Sequence, residues 1–149
     1  LDTAFKELDA RYLAGEGAAN AQTYSVIADA FAAVNRHELP TTTTRDFVSV
    51  DHRRPIAFAP GEMMAYLQAT LNDAPEIRID IVTVHRLNSR GVVVSHAWHN
   101  TSQQGFDAEW RVISISMLEG GRIHALGIEL IILASIFFDL IHGQIGIFV

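Results

Sequence analysis

From Glu76 onward the apolar residues recur at a period of two, and this alternation constrains the fold more than any other feature of the chain. Alternating segments run at about Ile77 to Leu87, Gly91 to Asn100, Ala108 to Leu118 and Arg122 to Leu130. The turn-formers Asn88-Ser89-Arg90-Gly91, Ser102-Gln103-Gln104-Gly105 and Glu119-Gly120-Gly121 separate them. Loops this short make consecutive strands antiparallel neighbours, so the spacing predicts a four-strand meander.

The residues before Glu76 follow a different period. Phe5, Leu8 and Tyr12 recur at helical spacing until Gly15-Glu16-Gly17 breaks the pattern, and Val26, Ile27, Ala30, Phe31 and Val34 draw a second stripe from about Asn20 to Arg36. Pro40 and the Thr41 to Thr44 run read as a loop or short turn leading into a strand from Phe47 to His52. Past Pro60, Gly61-Glu62 opens a third helix carrying Met63, Met64, Tyr66, Leu67 and Leu71, which Asn72-Asp73 and Pro75 close. Helices followed by a meander imply an α+β fold in which the helices cover one face of a curved antiparallel sheet. With 149 residues and no internal repeat, a single domain over 1–149 is expected.

Strand parity then sorts the side chains. Centring each hairpin on its turn places His85 opposite Val94, His96 opposite Thr83 and Val112, and Trp98 opposite Ile81 and Trp110. One face would carry Ile79, Ile81, Thr83, His85, Val94, His96, Trp98, Trp110, Val112, Ser114, Leu126 and Ile128. That set is apolar and aromatic with isolated imidazoles and hydroxyls, as in the lining of a small-molecule cavity. The other face would carry Arg78, Asp80, Val82, Val84, Ser95, Ala97, His99, Glu109, Arg111, Ile113, Ile115 and Glu129. Its charged members read as solvated cross-strand ion pairs, with a dimer contact as the alternative use. Between helix and meander, the strand ending Asp51-His52-Arg53-Arg54-Pro55 runs straight into four ionisable residues and a proline. At a pocket rim such a cluster binds an anionic group or holds an acid/base pair; on an open surface it is a salt-bridge network.

Several functions are disfavoured. The formal charge is −6 and the basic run is limited to Arg53-Arg54, so nucleic acid is not an expected partner. The chain has no cysteine, which removes disulfides and thiolate chemistry and is compatible with a reducing, cytoplasmic setting. Leu1-Asp2-Thr3-Ala4-Phe5-Lys6-Glu7 lacks the basic-then-apolar order of a signal peptide and an initiator methionine, so the chain reads as a fragment or a trimmed product. His96 and His99 stand three apart in a strand and so face opposite sides, which speaks against a two-histidine metal site. Gly120-Gly121 is a hairpin turn, and no GxSxG or triad-like spacing occurs. Neither a metal nor a cofactor is expected. The apolar run Leu130 to Phe138, interrupted by Asp139, falls short of the about 20 residues of a membrane span and reads as a buried terminal helix or an intersubunit element.

Taken in order, Val50-Asp51-His52-Arg53, Gly61-Glu62-Met63-Met64-Ala65-Tyr66-Leu67, Val84-His85-Arg86-Leu87, Phe106-Asp107-Ala108-Glu109-Trp110 and Glu119-Gly120-Gly121-Arg122-Ile123 resemble the nuclear transport factor 2-like superfamily. More narrowly, they are similar to SnoaL-like domains found alone or at the C-terminus of large bacterial cyclase-like and LuxR-type regulators. The resemblance covers about residues 1 to 128 and implies a cone-shaped, cystatin-like sheet with a pocket under its helices. That scaffold hosts isomerases, epoxide hydrolases, polyketide cyclases, dehydratases and non-catalytic binding domains, so it implies a pocket before a reaction. Epoxide-hydrolase members use an Arg and two Asp inside the cone. Here Arg78-Ile79-Asp80 falls on the wrong face by parity, and Ile128 stands where the last-strand acid is expected. The ketosteroid-isomerase type needs a buried carboxylate base and a donor, roles open to Asp51 with Tyr24 or Tyr66.

The expectation is therefore a domain that binds a small, largely apolar molecule and dimerises through the outer sheet face. Asp51, His52, Tyr66, His85, His96, Trp98 and Trp110 are its candidate ligand-binding residues. As an alternative, a cofactor-independent enzyme of the isomerase, hydratase, epoxide hydrolase or polyketide cyclase type would move a proton with Asp51 or His96. A third reading is a structural dimerisation domain with a filled cone. An ionisable side chain reaching an open cavity separates the first two from the third.

Overall fold

The computed structural model describes residues 2–52, 56–101 and 107–129, and within them three α-helices and six strands follow one another. Helix α1 spans Asp2–Ala14, and a 3-10 turn at Ala18–Asn20 leads to α2, Ala21–Asn35. Strands β1 (Thr43–Asp51) and β2 (Ile56–Phe58) precede α3, Glu62–Asp73. The meander follows as β3 (Arg78–Asn88), β4 (Gly91–Thr101), β5 (Asp107–Glu119) and β6 (Arg122–Glu129).

The helical stripe of α2 is what anchors it. Val26, Ile27, Ala30, Ala33 and Val34 recur on one face and are buried against the sheet. The helix stops in a Schellman arrangement, with Glu38 N–H donating to Ala33 O and His37 N–H to Val34 O, both at 2.9 Å. His37 takes the left-handed conformation there, at φ 60°. Two residues earlier Asn35 clamps β3: its Nδ2 donates to Ile79 O at 2.8 Å and its Oδ1 accepts from Ile79 N–H at 2.7 Å. At the start of α3, Gly61 adopts φ 86° and the Glu62 carboxylate accepts from Ala59 N–H at 2.7 Å. The expected helix opening at Gly61-Glu62 is thus made by a carboxylate that folds back on the chain entering the helix.

The sheet order is β2-β1-β6-β5-β4-β3, a curved sheet whose edges are β2 and β3. All pairings are antiparallel apart from β1 with β6, which run parallel with Asp51 opposite Ile128 and Ser49 opposite Leu126. The fold class is the α+β cone read from the sequence, with this one parallel pairing added. The Thr41 to Thr44 run, expected as a loop, already begins β1 at Thr43. Ile123 N–H donates to Thr42 O at 2.8 Å, and the Arg122 guanidinium donates to Thr43 O at 2.9 Å and to Thr41 O. Strand β2 was not foreseen; only three residues long, it pairs Ile56 with Asp51 and Phe58 with Ser49.

Registers held where the ladder is regular and failed where it bulges. Between β4 and β5 the expected pairs His96 with Val112 and Trp98 with Trp110 form as read. Strand β3 carries two irregularities, between Ile81 and Thr83 and between Val84 and Arg86. Each inserts a residue, so His96 faces Ile81 instead of Thr83, Trp98 faces Ile79 instead of Ile81, and Val94 faces Val84 instead of His85. Val84 and Leu87 turn into the core, and Thr83 and His85 leave it. The outer face forms the expected ion pairs: Arg78 with Asp80 at 3.0 Å, His99 with Asp80 at 3.3 Å and Glu109 at 3.7 Å, and Arg111 with Glu109 at 2.8 Å. The apolar tail over 130–149, the residues Arg53, Arg54 and Pro55, and the turn Ser102 to Gly105 lie outside the described residues.

Candidate functional site

Parity along β1 aims Phe47, Ser49 and Asp51 inward, and all three are buried. The same rule brings Ser114, Ser116 and Val112 of β5 and Ile128 of β6 onto that face. Helix α3 lies over part of it, and between α3 and the sheet is a cavity of about 520 Å3. This size falls within the roughly 300–1,000 Å3 of small-molecule sites. Asp51, Tyr66, Trp98 and Trp110 line it, four of the seven residues singled out in the sequence.

Asp51 closes β1 at 8% exposure and is the one ionisable carboxylate among the described lining residues. Tyr66 projects from α3, 52% exposed, with its ring 5.3 Å from that of Phe58. Trp98 and Trp110 stack across β4 and β5 with ring planes 6° apart and centroids at 6.1 Å, an offset pair worth about 0.5–1.5 kcal/mol beyond its burial. The cavity also uses residues the sequence reading did not single out for the site: Ile56 and Phe58 of β2, and Met63, Leu67 and Thr70 of α3. The last three had a readable signal, because i, i+4 and i+7 share one helix face. Thr70 Oγ1 already donates to Tyr66 O at 3.0 Å, so its methyl and not its hydroxyl hydrogen is left for a ligand.

The remaining candidates stand elsewhere. His96 is buried at 2% exposure on the inner face, its ring 4.9 Å from Phe31 and 6.1 Å from Trp98, behind the cavity wall. Strands β6 and β5 lie between it and Asp51, so the two proposed proton carriers are not neighbours. His52 is exposed in the turn after β1, outside the cavity lining, and its N–H donates to Ile128 O at 2.9 Å. His85 is corrected from the inner face to the exposed edge of the sheet, because the bulge in β3 turns it to Ser95, whose Oγ is 2.6 Å from Nε2. Desolvation lowers the His85 pKa while the charge of Asp9 opposes the shift. Asp9 accepts from Val84 N–H at 3.1 Å, and desolvation holds its own pKa above the ordinary carboxylate value. Tyr24 belongs with this group and not with Asp51: burial, and then the charge of Asp9, raise its pKa. Arg78 and Asp80 pair on the outer face, where parity put them.

A second space of about 70 Å3 adjoins the first and is lined by Ile27, Phe31, Val34, Phe47 and Leu126 among others. No ionisable side chain occurs in its described lining. Among the described residues no group of three or more His, Asp or Glu is placed to hold a metal ion. Chemically the arrangement offers an aromatic and aliphatic enclosure with one carboxylate and one phenol on its wall.

No protein-family model matches the chain, and no curated protein matches it in sequence. Solved structures do match in shape. AclR, a proposed hydroxylase from Streptomyces galilaeus, is 13% identical with a TM-score of 0.64 over 86% of this chain and 89% of that one. A proposed SnoaL-like polyketide cyclase from Jannaschia sp. CCS1 is 14% identical with a TM-score of 0.61 over 78% and 90%. A nuclear transport factor 2-like protein of unknown function from Burkholderia pseudomallei is 14% identical with a TM-score of 0.60 over 78% and 95%. The likeness establishes the fold, an α+β cone of the nuclear transport factor 2-like type with SnoaL-like proteins among its neighbours.

Proposed function

We propose that this chain is a SnoaL-like binding domain that takes a small, largely apolar molecule into the space between its helices and sheet, without a cofactor. The observation that carries this reading is the cavity of about 520 Å3 with Trp98, Trp110 and Tyr66 on its wall and the buried Asp51 at its edge. Apolar enclosure supplies affinity, and a single polar group orients the ligand. A sensory role needs nothing more than these contacts. The cytoplasmic setting suggested by the absence of cysteine belongs to the same reading, and no helix among the described residues is long and apolar enough to cross a membrane. Native mass spectrometry tests the proposal. A small molecule retained on the folded protein and released on denaturation supports it; a protein that stays empty through a library of apolar phenols and ketones contradicts it.

The enzyme reading is favoured by one specific feature, the placement of Asp51 in the cavity wall. A carboxylate held among apolar groups there is suited to abstract a proton from a carbon acid and return it, which is isomerase or cyclase chemistry. The proposed function of the Jannaschia protein, a polyketide cyclase, points the same way. In this reading Asp51 is the base and His96, behind the wall, supports Trp98 without touching substrate. Asp51→Asn then abolishes turnover while ligand binding survives. Loss of both together returns Asp51 to a binding role alone.

Dimerisation through the outer face completes the proposal. Arg78 and Asp80 on β3 stand across β4 from Glu109 and Arg111 on β5, each opposite a charge of the other sign, so a second copy laid on this face antiparallel meets charges of opposite sign.

A further inference from the structure

We infer that the binding site has two chambers, and that Met63 is the gate through which the apolar tail of an amphiphilic ligand passes from the larger to the smaller. This deepens the ligand-binding reading and rests on it. Among the described residues the two linings share three side chains, Met63, Leu67 and Trp98, which therefore form the partition. On the larger side stand Asp51 and Tyr66; on the smaller, Ile27, Phe31 and Phe47. A ligand that fills both meets the polar groups of Asp51 and Tyr66 at one end and places a short hydrocarbon at the other. An aromatic ring between them would lie along the Trp98 and Trp110 pair. A hydroxylated ring with an alkyl substituent has this chemistry.

The three partition residues differ in how they are held. Trp98 is fixed by its stack on Trp110 and by the His96 ring, itself against Phe31. Leu67 is buried and packed with Val34, Leu71, Ile77 and Ile79. Met63 is half-buried in the first turn of α3, at the margin of the core cluster, and its unbranched thioether has more rotamers open to it than either of the others. The movable side chain is therefore Met63, and Leu67 sets the width of the passage.

The test is calorimetric titration of the full chain with a series from phenol through 4-hexylphenol. Each added methylene should tighten binding about fourfold while the tail fills the inner chamber, the transfer contribution of one buried methylene, and the gain should then level off. Met63→Phe should lose the gain with tail length, its affinity no longer rising from phenol to 4-hexylphenol. Met63→Ala, which keeps the helix and removes the gate, should keep the gain and bind the longest tails more tightly than the wild type. Binding that is indifferent to tail length, or a gain that survives unchanged in both variants, overturns the two-chamber inference and leaves the binding reading standing. No binding of any phenol overturns both.

Discussion

Ser114 holds its hydroxyl on the inner face at 1% exposure with no hydrogen-bond partner among the described residues, and Ser49 repeats the arrangement on β1. A buried hydroxyl left unsatisfied costs about 1–3 kcal/mol. Ser114→Ala is therefore expected to leave stability unchanged or raise it by up to ~1 kcal/mol, read from urea denaturation. A loss above ~1 kcal/mol would show that the hydroxyl holds a bond after all. His85 makes a different prediction. Its folded pKa lies below the ordinary value because of desolvation, so the neutral ring's contribution is complete above about pH 6.5 and is lost as pH falls from there through the folded pKa. The groups around it are Asp9 of α1, which opposes the shift, and Ser95 of β4. His85→Gln should reduce the drop in urea midpoint between pH 7.5 and 5.5 relative to the wild type. An identical drop in both proteins would remove His85 from the pH response.

The elements show why some features were legible in the sequence and others were not. In β4 and β5 the ladder runs without interruption, so counting from the turn put Trp98 opposite Trp110 and His96 opposite Val112. Asp51 was singled out differently, because the strand that it closes runs into a cluster of ionisable residues. Strand β3 defeated the count because its alternation shifts twice. The trace it left in sequence is the spacing of Val84 and Leu87, three apart and both buried, where strict alternation requires an even number. The parallel pairing of β1 with β6 joins segments far apart in the chain, which no local pattern encodes. Strand β2, three residues between Pro55 and Pro60, was too short to carry a period. What locks β3 to α2 is the paired hydrogen bond of Asn35 with Ile79. Asn35→Ala should cost about 1–3 kcal/mol, because it strips both backbone groups of Ile79 of that partner. A change below ~0.5 kcal/mol would show that water replaces the amide without penalty.

The whole molecule joins a charged outer face to an apolar interior. Arg111→Glu sets a like charge beside Glu109 and within the ladder that a second copy would meet. The dimer should weaken by tenfold or more in sedimentation equilibrium, while ligand binding in the interior is kept. Association unaffected by the reversal would place the contact elsewhere. The interior claim has a built-in reporter, because the chain has two tryptophans and both line the larger cavity. The most direct measurement is therefore tryptophan emission, excited beyond phenol absorption, during titration with 4-butylphenol. The expected result is a saturable change in emission that Met63→Phe shifts to higher ligand concentration. Emission that stays constant up to the solubility limit of the phenol, with the circular dichroism spectrum of the folded protein intact, would contradict the claim that this cone holds a ligand.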